Sequence, residues 1–119
     1  MTPTILIFER RPRWVPELER QFLGQEFRIR GCATLQDLET RLTFNPGGLC
    51  LVELDAAPGE GLLFLGRLMA RARSPKIIVV ATQTFHELEW VIRELGVITF
   101  LEEPIPGDDM AAWCRRQFS

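Results

Sequence analysis

The sequence is poor in the side chains that small domains use as staples or as catalysts. Its 119 residues include three cysteines and one histidine. Cys32, Cys50 and Cys114 are too few and too scattered for a disulfide framework or a zinc site. They read as free thiols of a reducing cytoplasm, packed as small core hydrophobes. His86 has no serine or cysteine predicted beside it, so nucleophilic catalysis is not expected, and it reads as a surface histidine at a helix start. No run of about 18 apolar residues occurs, which argues against a membrane-spanning helix. Glu9, Arg10 and Arg11 interrupt the apolar start, so a signal peptide is not expected either. Charge of one sign is also missing. The net charge is −2 and the pI is about 5.5, which argues against nucleic acid as the main partner.

What is present is apolar sequence in short, regular runs. Hydrophobic residues make up 46% of the chain and charged ones 25%, with a mean hydropathy of +0.03. That excludes disorder and supports one cored domain over residues 1–119. Thr4–Phe8, Leu49–Val52 and Ile77–Val80 are continuous apolar runs expected as strands covered on both faces. Phe27-Arg28-Ile29-Arg30 alternates and predicts an edge strand, and 97–101 predicts a fifth strand. Between them, Val15, Leu18 and Phe22 carry helical spacing, as do Leu35, Leu38 and Leu42. Further helices are predicted over 62–73, over 88–95 on Leu88, Val91, Ile92 and Leu95, and over 110–118. Gly24 and Gly96 are placed as helix stops. Strict alternation of strand and helix implies parallel strands joined by right-handed crossovers, hence a three-layer α/β/α sandwich.

In such sheets chemistry gathers at the carboxyl ends of the strands. Acids cluster there: Glu9, Glu53, Asp55, Glu102 and Glu103. Convergent acids suit a hard cation, yet Arg10 stands next to Glu9 and repels one. The first of these loops, Glu9-Arg10-Arg11-Pro12-Arg13-Trp14, is bulky and has no glycine, so a phosphate cradle is not expected. Its arginines, like Arg67, Arg71 and Arg73, read as solvated charge.

Taken in order, Thr4–Pro12, Pro58-Gly59-Glu60-Gly61, Pro75–Ala81 and Gly96–Pro104 resemble the receiver domain of bacterial response regulators, the CheY-like fold, over essentially the whole chain. The resemblance implies a five-stranded parallel sheet in the order 2-1-3-4-5. It also implies two magnesium-holding acids after the first strand, a phosphoacceptor aspartate ending the third, a Ser or Thr ending the fourth and a Lys-Pro pair, usually cis, after the fifth. This sequence departs at nearly every position. Glu9 keeps the first acid and Arg10 replaces the second. The aspartate position falls on Leu54 counted from Pro58, or on Glu53 counted from Gly61, with Asp55 adjacent. Ala81 takes the hydroxyl position with Thr82 beside it, and Glu103 precedes Pro104 where the lysine belongs. The single lysine, Lys76, is predicted at the opposite end of the fourth strand.

Phosphoryl transfer needs a cation and a lysine to neutralise the transferred group. A carboxylate in the lysine's place, at about 4 Å and an effective dielectric of 20, opposes the transition state by several kcal/mol. The expectation is a pseudo-receiver, not an enzyme, with magnesium binding lost and no cofactor. Arg10 is expected to fill the metal's space and pair with Glu103, Glu53 or Asp55. Function then rests on a protein partner, with a homodimer through the fourth helix, fifth strand and fifth helix as one mode. On a helix built on the Leu88 stripe, Trp90 points about 160–200° away from the core, and Phe100 takes a position often used for signalling in the family. Trp14 is assigned to the core edge. Two alternatives stay open: an atypical receiver phosphorylated on Asp55 or using Glu53, and a small-ligand sensor in the altered pocket. The chain runs to Ser119 just after the fifth helix, and either acts alone or belongs to something longer.

Overall fold

The computed structural model describes residues 2–118. Strand β1 (Thr4–Phe8) leads to α1 (Trp14–Gln21), β2 (Arg28–Cys32) to α2 (Leu35–Phe44), and β3 (Leu49–Glu53) to α3 (Pro58–Met69). Then β4 (Lys76–Ala81) leads to α4 (Glu89–Glu94) and β5 (Thr99–Glu102) to α5 (Gly107–Arg116). All neighbouring strands are parallel and the order is β2-β1-β3-β4-β5, the architecture expected from the sequence.

The period of two in the strands sorts the core into two layers. Ile5, Ile7, Leu49, Leu51, Ile78 and Val80 pack against Trp14 and Leu18 of α1 and Met110 and Cys114 of α5. Leu6, Cys50, Val52, Ile77 and Val79 pack on the other face against Leu38, Leu65, Leu68 and Ile92. Burial on both faces removes any use for polar residues, hence the continuous apolar runs. In β2, exposed Arg28 and Arg30 flank buried Ile29, as an edge strand requires. All three cysteines are buried and free, and burial pushes the thiols up to about 11 in Cys32 and about 12 in Cys50 and Cys114.

Local chemistry sets the helix ends. Thr34 Oγ1 accepts from the Asp37 N–H at 3.0 Å and caps α2. Gly24 and Gly96 take φ of +80° and +101° after α1 and α4, a backbone conformation that favours glycine. Helix α3 begins at Pro58, four residues before the sequence expectation, because proline's missing N–H and fixed φ suit a first turn.

The fourth helix differs most from expectation. Short 3-10 turns on either side of a kink at Phe85 (φ −106°, ψ 19°) span Gln83–Leu88 and precede an α-helix of only six residues. The kink and the tighter winding shift the phase counted at 100° per residue. Ile92 is buried, Leu88 and Leu95 are half-buried, and Val91 is 50% exposed rather than part of the core stripe.

Candidate functional site

The carboxyl ends of β1, β3, β4 and β5 bring Glu9, Glu53, Asp55, Thr82 and Glu103 to one end of the sheet. Each is held for a different reason. Glu9 follows the last residue of β1 and is buried. Its Oε1 accepts from the Trp14 N–H at 2.9 Å and its Oε2 from the Val15 N–H at 3.1 Å. The N-cap residue of α1, Arg13, supplies no side-chain acceptor. Glu9 therefore satisfies the orphan amides of that helix from five residues upstream, a carboxylate set against a positive helix end. Trp14, placed at the core edge by sequence, is fully buried, and its Nε1 finds no partner among the described residues.

At the end of β3 the chain leaves the strand in a 3-10 turn over Leu54–Ala56. Leu54, one of the two candidate aspartate positions, turns into the core and is fully buried, so it takes no part in the pocket. Glu53 stays at the pocket, its Oε1 accepting from the Arg10 N–H at 3.1 Å. Burial pushes its carboxyl above the usual range, the Arg10 N–H opposes that, and the charges of Glu9, Glu103 and Asp55 add to it. The turn swings Asp55 toward β4. There Asp55 Oδ1 accepts from the Thr82 N–H at 2.9 Å and Oδ2 from the Thr82 hydroxyl at 2.6 Å. Ala81 is buried in the core, and its carbonyl accepts from the Glu103 N–H at 2.8 Å.

The expected partner of Arg10 needs correction. Its guanidinium donates to the backbone carbonyl of Asp55 at 3.2 Å and forms no ion pair with Glu53, Asp55 or Glu103. The arginine that meets Glu103 is Arg13, Nη1 to Oε2 at 2.6 Å, and its guanidinium also lies 4.8 Å over the Trp14 ring. By sequence, Arg13 reads as solvated charge. The signal lay in its position just before a helix whose start folds back over the sheet end. The other oxygen of Glu103, Oε1, is enclosed and has no partner among the described residues. The Glu103–Pro104 peptide is cis. Lys76 lies at the amino end of β4 and donates to the Gln117 carbonyl at 2.7 Å.

Three other side chains expected in solvent, Arg67, Arg71 and His86, are paired. Arg67 Nη1 meets Glu39 Oε2 at 2.6 Å and Arg71 bonds the same oxygen, tying α3 to α2. His86 sits in the 3-10 segment and its Nδ1 lies 2.7 Å from Glu102 Oε1, so Glu102 faces that segment. Among the described residues no group of three or more His, Cys, Asp or Glu side chains is arranged to hold a metal.

Of the two residues placed on a signalling surface, the structure separates one from the other. Trp90 is 76% exposed, next to exposed Val91. Phe100 is 3% exposed and packs in the core, so it offers no surface to a partner. Its carbonyl instead accepts from Arg93 Nη2 at 3.0 Å, and Arg93 Nε bonds Glu89 at 2.8 Å, which ties α4 to β5.

No protein-family model matches the sequence, and no curated protein matches it. Solved structures do. A response regulator from Thermotoga maritima superposes with a TM-score of 0.81 at 15% identity, covering 98% of each chain. A response regulator receiver protein from Pseudomonas putida gives 0.81 at 21%, again over 98% of each. HP1043, an orphan response regulator of H. pylori, gives 0.81 at 18%, over 98% of this chain and 97% of its own. The chain therefore has the CheY-like receiver fold. No helix among the described residues is long and apolar enough to cross a membrane.

Proposed function

We propose that this chain is a signalling module of the two-component type, a receiver-like domain whose shape is set without phosphorylation and read by a protein partner. One observation carries the reading. The groups a phosphoryl-accepting pocket needs free are bonded to each other. Both oxygens of Asp55 are taken by Thr82, at 2.9 and 2.6 Å, and the residue before Pro104 is a glutamate neutralised by Arg13 at 2.6 Å. The bond from Asp55 to the Thr82 hydroxyl already joins the ends of β3 and β4, the join that the family resemblance assigns to the phosphate.

The residues present do not fit a magnesium ion. Glu9 spends both oxygens on the amides of α1, and Arg10 brings a cation to the loop where the second acid belongs. A divalent ion needs several oxygen ligands with negative charge. With neither a metal nor a lysine, the cations left for a transferred phosphoryl are Arg10, held on the Asp55 carbonyl, and Arg13, paired with Glu103.

Output then rests on the exposed face of α4. Trp90 is a large exposed aromatic on a helix anchored by Arg93, and aromatic anchors dominate protein interfaces. Two experiments test the reading. Acetyl phosphate, or beryllofluoride with magnesium, is added to the protein. The expected result is no mass gain and no shift of amide resonances, and a phosphoryl adduct on Asp55 or Glu53 overturns it. Capture of partners from the native cell is expected to depend on Trp90, with loss of the specific partner in Trp90→Ala.

A further inference from the structure

At the end of the sheet opposite the candidate site, a cavity of about 700 Å³ opens beside the amino ends of β1 and β2 and the loop after α2. Its size falls in the range of small-molecule sites, roughly 300–1,000 Å³. Pro3, Phe44, Pro46 and Phe118 give it apolar walls. Arg28 is the one charged side chain lining it, and no carboxylate does. Among the described residues nothing bonds or pairs with the Arg28 guanidinium. Phe44, the last residue of α2, is 80% exposed.

Phe118 and the loop after α2 are each tied to their neighbours. The Phe118 ring meets Phe27 edge-on at 5.7 Å and lies under Lys76 Nζ at 5.6 Å. The loop is held by Asn45 Nδ2 on the Arg41 carbonyl and by the Gly48 N–H on the Asn45 carbonyl, each at 2.8 Å. A side chain at Gly48 would meet the Asn45 carbonyl at 3.0 Å, so glycine lets the loop lie close to β1, whereas a Cβ at Gly47 meets nothing within 4 Å.

We propose that this cavity binds a small aromatic carboxylate, with its ring against Phe44 and Phe118 and its anion on Arg28. The apolar walls call for a flat hydrophobic body. A free guanidinium calls for a planar two-oxygen anion, which it holds by two parallel hydrogen bonds. The lining has a single cation, and one positive charge matches a monoanion better than a phosphate ester. The cavity lies at the other end of the sheet from Asp55 and Glu103 and stands whether or not the signalling reading holds.

The test is a titration of the full chain, followed by amide resonances, with 1-naphthoate, benzoate, acetate and the neutral 1-naphthamide. The two aromatic acids are expected to move the Arg28, Gly47 and Gly48 resonances saturably. 1-Naphthamide should bind about tenfold more weakly than 1-naphthoate, the order that a charge-assisted hydrogen bond contributes. Acetate should leave the resonances in place. Arg28→Gln is expected to weaken 1-naphthoate by a similar factor, and Gly47→Leu, which fills open space, to abolish binding while the spectrum stays dispersed. Equal binding of the acid and its amide overturns the proposal. So does a response confined to other residues, no response at all, or undiminished binding in Gly47→Leu.

Discussion

Asp55 and Thr82, 27 residues apart, share two hydrogen bonds that join the ends of β3 and β4. The pair has a geometric cause. A 3-10 turn after Glu53 breaks the strand's period of two and carries the Asp55 carboxylate sideways to the first residue beyond β4. Both oxygens then meet donors of one residue, the backbone N–H and the hydroxyl.

Removing the hydroxyl leaves Asp55 Oδ2 half-buried with no donor. Thr82→Val is nearly isosteric, so the lost hydrogen bond dominates the effect. The expected cost is about 1–2 kcal/mol, read as a lower midpoint in equilibrium urea denaturation. Thr82→Ser keeps the donor and should stay close to the parent protein. Equal midpoints for the Val and Ser variants would show that the bond contributes nothing.

Glu53 makes stability depend on pH in the opposite sense to most carboxylates. Its folded-state carboxyl is raised, first by burial and then by neighbouring acids. Between the unfolded and the folded value the native state therefore holds more protons than the unfolded one. Stability falls as pH rises through that window. Glu53→Gln removes the ionisation and keeps an oxygen for the Arg10 N–H. The variant is expected to be more stable than the parent at neutral pH, and the advantage should vanish once pH falls below the usual carboxylate range. Denaturation midpoints of both proteins at the two pH values check this, and an advantage that grows in acid would contradict it.

Different parts of the architecture were legible for different reasons. Ile77–Val80 and Ile5–Phe8 could be read as central strands because burial on both faces leaves no polar alternation to confuse them. The stripe of Leu88, Val91, Ile92 and Leu95 misplaces Val91 because the phase of α4 depends on the kinked 3-10 turns before it, which composition does not announce. Phe100 was assigned to a surface through family position, while its neighbours on β4 and α4 bury it. The pocket's residue types were visible as carboxylates at strand ends. Which arginine meets which acid was not, because pairing depends on the path of the loop. The turn from Arg10 to Arg13 points the Arg10 guanidinium at a carbonyl and the Arg13 guanidinium at Glu103.

Glu9 shows how an acid at a site position can serve the fold instead. Its two oxygens take the amides of Trp14 and Val15, and the N-cap residue Arg13 makes no side-chain cap. Glu9→Gln keeps one acceptor, turns an NH2 group toward a donor and removes the negative charge at the helix end. A loss of about 1–2 kcal/mol is expected, the order measured for helix caps and their dipole term. The amides of Trp14 and Val15 should exchange faster with solvent in the variant. Unchanged protection at both would mean the cap is not used in solution.

His86 gives a direct reading of the electrostatics at the end of β5, because it is the only imidazole in the chain. Its Nδ1 lies 2.7 Å from Glu102 Oε1, and that hydrogen bond, followed by the charges of Glu102, Glu89 and Glu87, raises its pKa above the ordinary 6.5. The sign follows from linkage. A histidine raised in the folded state adds stability that is present below its unfolded value and is lost as pH rises through the folded one. The side chain is exposed, so salt and water screen the pair and its effect on unfolding is small. Titration is the sharper measurement. The imidazole resonances should show a midpoint above 6.5 that moves down in Glu102→Gln and moves part of the way down in high salt. A midpoint at the ordinary value, insensitive to Glu102, would mean that the two side chains do not meet in solution.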